Sequence, residues 1–453
     1  MLISKEKIIR RILLALFWIW GLYGFVSDEI LPVLADMRSI LYLLFDVAFV
    51  ALGIATLKNK KDVVLISAFV VISFISTIMV NKLGIVNWLN GMRDFFGLLF
   101  ALPIFRYFFE DDGRRRRLIC VFDKHLFVFL ILQAPCLIYQ FVKYGANDHG
   151  GGSFGNFMSG VVSTVIYATS FYLILKKWDR DNYFKSLKNN IVYILLLFPT
   201  FLNETKISFI YFALYFFLLL KFDRKLIMRL AIAVPVFAIG MYFVYTAYMS
   251  SSQSEADITD LSYYLDEYLM TDDTDHLIEL AEMLDEGEFG DDDDWTIDVP
   301  RFSRLFLMPF ITADSDGGIV FGAGLSQFKG KSFLKQTKFA TEYEWFVNGT
   351  VLFSQILFVQ LGLIGVVWIM FYFYALFSFK TPTTHKNIYL LLLLGFIYAV
   401  TFIYLQSLRF ASFCTIVTYL LFCARTFHSA HNADNKVAEV SDTASNKLNH
   451  FEK

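Results

Sequence analysis

The chain reads as an all-α integral membrane protein with about twelve transmembrane helices and one large, partly helical extracytoplasmic loop before the last three. Three observations predict this. The 453 residues are 57% hydrophobic and 18% aromatic but only 18% charged, against roughly 25% charged in an average soluble domain. Apolar runs long enough to cross a bilayer recur along the whole length, separated by short charged patches. The cations in those patches alternate from one side to the other.

The expected spans are 12–26, 39–57, 63–80, 95–109, 125–142, 158–175, 191–203, 207–220, 230–249, 351–379, 387–405 and 409–424. Placing the N-terminus inside puts Lys5, Lys7, Arg10 and Arg11 in the cytoplasm. Every second loop is then basic: Lys58 to Lys61, Arg114 to Arg117, and Lys176 through Lys188. Lys221 to Arg229, and finally Lys380 with Lys386, continue the series. The alternate loops hold scattered cations: Arg38, Lys82 with Arg93, Lys143, Lys206 and Arg409. Both termini are therefore expected in the cytoplasm, and residues 250–346 outside. The first run, Ile12 to Val26, lacks a small-residue cleavage site and is followed by further spans, so it reads as an anchor rather than a signal peptide. Organisation follows from this: spans one to nine in 1–249, the loop in 250–346, spans ten to twelve in 347–425, and a polar tail in 426–453 expected to be disordered.

The seventh run is short, contains Pro199, and meets the eighth at Asn203-Glu204-Thr205-Lys206. Backbone of that kind is tolerated at membrane depth where it lines a protein-walled cavity. The external loop divides by charge. No Lys or Arg stands between Arg229 and Arg301, while acids accumulate up to Asp291–Asp294. Leu261, Tyr264, Leu265, Tyr268 and Leu269, then Leu277, Leu280, Ala281 and Leu284, keep helical spacing, and Gly287 supplies a stop. The acidic run lacks the spaced ligands of a calcium loop and reads as a solvated face. From Arg301 onward the sign reverses, with Arg301, Arg304, Lys329, Lys331, Lys335 and Lys338. The two halves either pair with one another or leave the basic half for an anion.

Cations fixed at the outer headgroup level suit a phosphate-bearing lipid. On that ground Arg93, Lys206, Arg301 and Arg304 are the candidate phosphate ligands, with Arg409 a weaker one. The plain alternative for each is a snorkelling cation or the partner of a nearby acid such as Asp94 or Glu204. Deprotonating a hydroxyl needs a base at the same depth, for which Glu344 and Glu342 are the candidates and Glu204 a third. His149 sits in a Gly-rich loop and reads as exposed. Cys120, Cys136, Cys414 and Cys423 lie in or beside apolar runs, without metal or disulfide spacing. No metal site, cofactor motif or nucleic-acid patch is visible.

Four segments, in order, resemble the O-antigen polymerase and O-antigen ligase superfamily. Gly152-Ser153-Phe154-Gly155-Asn156 is similar to its Gly-x-Phe-x-Asn segment. Leu202-Asn203-Glu204-Thr205-Lys206-Ile207-Ser208 lies where that family has a Thr-x-Ser-Arg turn. Gly322-Ala323-Gly324-Leu325-Ser326-Gln327-Phe328 resembles its Gly-x-Gly-x-x-x-Phe, and Gln360-Leu361-Gly362-Leu363-Ile364-Gly365 its acidic-residue-x-Gly-x-x-Gly helix. Two departures stand out: Lys206 replaces the turn arginine and cannot form a bidentate fork, and the His-Asn pair preceding the last motif is absent. The missing histidine favours polymerase over ligase. The resemblance implies a metal-independent, inverting glycosyltransferase without cofactor at the outer face of the bacterial cytoplasmic membrane. Its substrate would be an oligosaccharide on undecaprenyl pyrophosphate, with membrane lipids and a chain-length regulator as partners. A transporter or flippase is the alternative of another class, but that class favours internal repeats and midplane polar features, and no repeat is evident.

Overall fold

The computed structural model describes residues 4–145, 149–203, 207–220, 235, 301–328, 336–347, 351–379 and 386–427. The described residues are helices and connecting turns, with no strand among them. The principal helices are α1 (Lys5–Phe25), α2 (Arg38–Thr56), α3 (Lys60–Phe74), α4 (Ile85–Met92), α5 (Phe96–Phe109) and α6 (Asp112–Tyr144). They continue as α7 (Ser159–Leu175), α8 (Ile207–Leu219), α9 (Arg301–Ala313), α10 (Phe353–Phe377), α11 (Ile388–Ile403) and α12 (Ala411–Arg425). Single π turns extend α1 to Ile30 and α3 to Val80.

Among the described residues, five helical runs are long and apolar enough to cross a membrane: Lys5–Ile30, Arg38–Thr56, Lys60–Val80, Asp112–Tyr144 and Phe353–Phe377. This is a helical membrane protein. The remaining expected spans fall on shorter helices, except 230–249, of which only residue 235 is described; both amphipathic stretches of the loop lie outside the described residues. The expected seventh span is not one helix: Ile191–Leu195 gives way to a 3-10 turn, Phe198–Phe201, with Pro199 at its start. Pro199 has no N–H to donate to a continuing α-helical ladder. The basic run Arg114–Arg117, expected in a loop, is instead the first turns of α6, capped by the Asp111 carboxylate, which accepts from the Arg114 N–H at 2.7 Å. That bond holds the exposed Asp111 carboxyl below its ordinary pKa.

α5 is the axis of the bundle, buried on every side from Gly97 to Phe109. Apart from Arg106, which is buried and pairs with Asp62 at 3.0 Å, it is almost wholly apolar, which is what a fully enclosed helix requires. Aromatic rings fill the space between it, α6 and α12: Phe122 lies 4.5 Å from Tyr419, and Phe105 lies 5.7 Å from the same ring.

Two loops enter the bundle from one end. The first is Gly152–Asn156. The side-chain amide of Gln133 donates to Ser153 Oγ at 2.7 Å and accepts from the Ser153 N–H at 3.0 Å. Gln140 accepts from the Gly152 N–H at 2.7 Å. Backbone buried at this depth needs such partners, and two glutamines of α6 provide them. The second is residues 318–328, which thread against a break in α10. Gly362 there has φ 59° and ψ −155°, outside helical values. The carbonyls freed by the break accept from the loop: Val359 from the Ala323 N–H at 2.7 Å, Gln360 from the Gly324 N–H at 3.1 Å. The Gln360 side chain accepts from the Ser326 N–H at 2.9 Å. Residues 318–328 are thus stitched into the apolar helices.

Candidate functional site

A cavity of about 460 Å³ is lined by α1, α2, the end of α4 and the turn that follows it, the Gly152–Asn156 loop, the start of α7 and the start of α12. Its wall carries three arginines and three aspartates: Arg38, Arg93, Arg409, Asp28, Asp46 and Asp94. All three arginines are cations that the charge pattern assigns to the outer side.

Each arginine meets an aspartate. Arg93 Nε donates to Asp46 Oδ2 at 2.7 Å. Arg409 Nη2 lies 3.3 and 3.4 Å from the two oxygens of Asp94. Arg38 is paired with Asp28. The local sequence explains the convergence. Arg38, Tyr42 and Asp46 stand at i, i+4 and i+8 of α2 and so share one face, which all three present to the cavity. Arg93 and Asp94 sit in a 3-10 turn, Arg93–Phe95, that joins α4 to α5. Arg409 ends another such turn, Ser407–Arg409, ahead of α12.

The inserted loops are fastened to the same ion pairs. Asp28 Oδ2 accepts from the Asn156 N–H at 2.8 Å, closing the Gly152–Asn156 segment over the cavity. Arg409 Nη1 donates to Gln406 Oε1 at 3.0 Å and its Nη2 to the Phe328 carbonyl at 3.3 Å, so the 318–328 segment ends on a cavity arginine. Asn90, another lining residue, donates to Ser326 Oγ at 3.2 Å. Ser326 has φ 79°, an uncommon conformation for a residue other than glycine. Three of the four family-like segments are thereby tied to one place.

The candidates named from sequence are divided by the structure. Arg93 lines the cavity. Arg304 does not: it is buried, with Nη1 donating to the Phe346 carbonyl at 2.8 Å. Gln355 Nε2 donates to the same carbonyl at 2.8 Å, so this arginine braces the end of the loop against α10. Arg301 starts α9, one turn before Arg304. Lys206 and Glu204 lie outside the described residues. Neighbouring Asn203 is buried and donates to the Gly150 carbonyl at 3.1 Å and Ser163 Oγ at 3.2 Å, which holds Asn203 beside the Gly152 loop. Glu342 is exposed and Glu344 half-buried, and neither is among the residues lining the cavity. Between them, Tyr343 donates to Asp314 Oδ2 at 2.6 Å; burial and this bond push its phenol above the ordinary value. His149 is half-buried, its ring 4.7 Å from Tyr144 and 4.5 Å from Phe157. Among the described residues, no group of three or more His, Cys, Asp or Glu comes together as metal ligands.

Sequence reasoning missed Asp28 and Asp46. A signal for Asp46 was present: it is the one charged residue between Arg38 and Lys58, and an ionisable group inside a span is by default a site candidate.

A cavity of this size with alternating guanidinium and carboxylate groups can hold a compact anion and move a proton beside it. Arginine supplies forked donors to phosphate oxygens. Set against known proteins, the chain matches no family model and no curated relative. Fold and site together define a helical membrane protein with a charged cavity between its helices at one end of the bundle.

Proposed function

We propose that the protein is a polysaccharide polymerase of the O-antigen or capsule type. It transfers a growing glycan from undecaprenyl pyrophosphate to an incoming lipid-linked repeat unit at the outer face of the cytoplasmic membrane. The observation that carries this reading is the cavity holding Arg38, Arg93 and Arg409 together. A diphosphate leaving group develops negative charge as the glycosidic bond breaks, and preorganised guanidinium groups in a water-poor site stabilise it more than water does. In the free protein the aspartates hold those guanidinium groups in place and offset their burial. Lys206, Arg301 and Arg304 remain part of the proposal as supports around the diphosphate path, with Arg93 the residue in the cavity itself. The tying of the external loop to Arg409 through the Phe328 carbonyl supports a sugar chain running over the cavity mouth.

The experiment is a gel of surface polysaccharide from cells lacking the gene. The polymerase reading predicts loss of the ladder, with a single repeat unit remaining. Long polymer left on its lipid carrier would assign the ligase activity instead. An unchanged profile would remove the glycan reading and favour a transporter.

A further inference from the structure

The geometry points to Tyr42 as a phosphate-binding residue of the cavity, its phenol O–H donating to a diphosphate held between Arg38 and Arg93. The inference rests on the reading that the cavity takes a lipid diphosphate. Tyr42 occupies the middle of the polar face of α2. Arg38 stands one turn before it, and Asp46, which accepts from Arg93 Nε at 2.7 Å, one turn after it. Each step of four residues is about 6 Å along the helix axis. The phenol therefore has a guanidinium group on either side of it along the cavity wall.

The work of the ring and that of the hydroxyl are separable. The ring packs edge-on against Tyr23 at 5.3 Å and Phe45 at 6.2 Å, contacts that a phenylalanine would make equally well. Of the two packed tyrosines, Tyr23 spends its hydroxyl within the protein, donating to the Leu34 carbonyl at 2.6 Å. The Tyr42 hydroxyl makes no hydrogen bond among the described residues, although the residue lines the cavity. A tyrosine packed into a protein wall ordinarily finds a partner for its O–H. An open donor on a charged cavity is accounted for by a ligand that accepts.

The neighbouring cations say what that ligand is. Arg38 spends Nη2 on Ser27 Oγ at 3.0 Å and on Asp28, which leaves Nη1, and 43% of its side chain is exposed. Arg93 spends Nε on Asp46, which leaves both Nη groups, and a quarter of its side chain is exposed. Arg409 differs, since Nη1 is committed to Gln406 and Nη2 to Asp94 and the Phe328 carbonyl. It contributes charge and holds the wall in shape. The open donors thus belong to Arg38, Tyr42 and Arg93, a set of N–H and O–H groups suited to an occupant rich in acceptor oxygens and negative charge. A neutral phenol adds a directed bond there without a further charge for the aspartates to neutralise.

The test measures retention of labelled polyprenyl diphosphate by the full-length protein in proteoliposomes, with the free polyprenol as the comparison. Tyr42→Phe removes one oxygen and keeps the ring. It is expected to raise Kd for the diphosphate by about ten- to hundredfold, the contribution of a hydrogen bond to a charged group, and to leave Kd for the polyprenol unchanged. Combined with Arg93→Lys, its effect should be non-additive, because both residues hold one anion. A rise in Kd for the diphosphate below about threefold overturns the inference. So does an equal rise for the polyprenol, which would make the hydroxyl a matter of packing, and so does strict additivity with Arg93→Lys. If Tyr42→Phe accumulates poorly, retention per mole of purified folded protein still decides. The polymerase reading fails separately: a wild type that makes no polymer ends that reading, whereas Tyr42 is judged on lipid retention alone. A wild type that retains the diphosphate no better than the polyprenol overturns the inference itself.

Discussion

Replacing Gly24 with alanine measures how closely the Gly152–Asn156 loop must sit on α1 for the cavity to exist. A Cβ built on Gly24 falls 1.7 Å from the Phe154 carbonyl oxygen and 2.3 Å from its carbon. Real Cβ atoms essentially never approach closer than 3.0 Å, so the backbone must withdraw by at least 3.0 − 1.7 = 1.3 Å. Overpacking of this kind costs about 1–3 kcal/mol. The withdrawal also lengthens the bond from the Asn156 N–H to Asp28, now 2.8 Å, and a hydrogen bond to a charged group contributes about 1.5–3 kcal/mol. A loss of about 2.5–6 kcal/mol follows from these two effects together. Phe154 and Asn156 both line the cavity, and displacement of reacting groups by about 1 Å costs roughly 100-fold in rate. The assay is thermal unfolding of the detergent-solubilised protein beside polymer output in cells. Gly395→Ala is the control, since nothing lies within 4 Å of a Cβ there. Gly24→Ala melting with the control, at full polymer output, would refute the packing argument.

Four further outcomes follow from the same contacts. Arg409→Lys keeps the charge but loses the fork that joins Asp94, Gln406 and the Phe328 carbonyl; transfer should fall roughly ten- to hundredfold, from about 1.5–3 kcal/mol of charge-assisted bonding, as read by initial elongation rates. Alanine at both Arg93 and Lys206 should abolish polymer on a surface gel, and unchanged length and amount would remove both from the site. Gly362→Ala puts a Cβ at φ 59° and 2.4 Å from the Ile319 and Val320 carbonyls; folded protein in the membrane should fall well below the level of Gly84→Ala, whose Cβ has open space. Asp28→Asn should weaken both the Arg38 pair and the hold on Asn156, making the loop accessible to limited proteolysis where the wild type resists.

Helix positions were readable because a bilayer forces each crossing segment to be apolar and to satisfy its own backbone. Arg38–Thr56, Lys60–Val80 and Phe353–Phe377 accordingly coincide with apolar runs. Boundaries followed less well where charge and helix overlap, as at Arg114–Arg117, because snorkelling cations are compatible with helix as well as loop. The break at Gly362 was not readable as structure. It exists because residues 318–328 bring partners for the freed carbonyls, a contact between distant parts of the chain that no local pattern encodes. Arg93 was visible as a rare outer cation. Arg409 drew less weight, because its meaning comes from Asp94 and Phe328, 315 and 81 residues away in sequence. Glu342 and Glu344 were attractive by depth alone, and depth does not say which way an element faces.

The most direct test of the account is whether the cavity is an outward-facing site for a lipid diphosphate. With Cys120, Cys136, Cys414 and Cys423 replaced, Ser412→Cys places a single thiol on the cavity wall. The account predicts labelling by a membrane-impermeant maleimide added from outside intact cells, and protection in proteoliposomes by polyprenyl diphosphate but not by the free polyprenol. Labelling only from the cytoplasmic side, or no protection by the diphosphate, would contradict it.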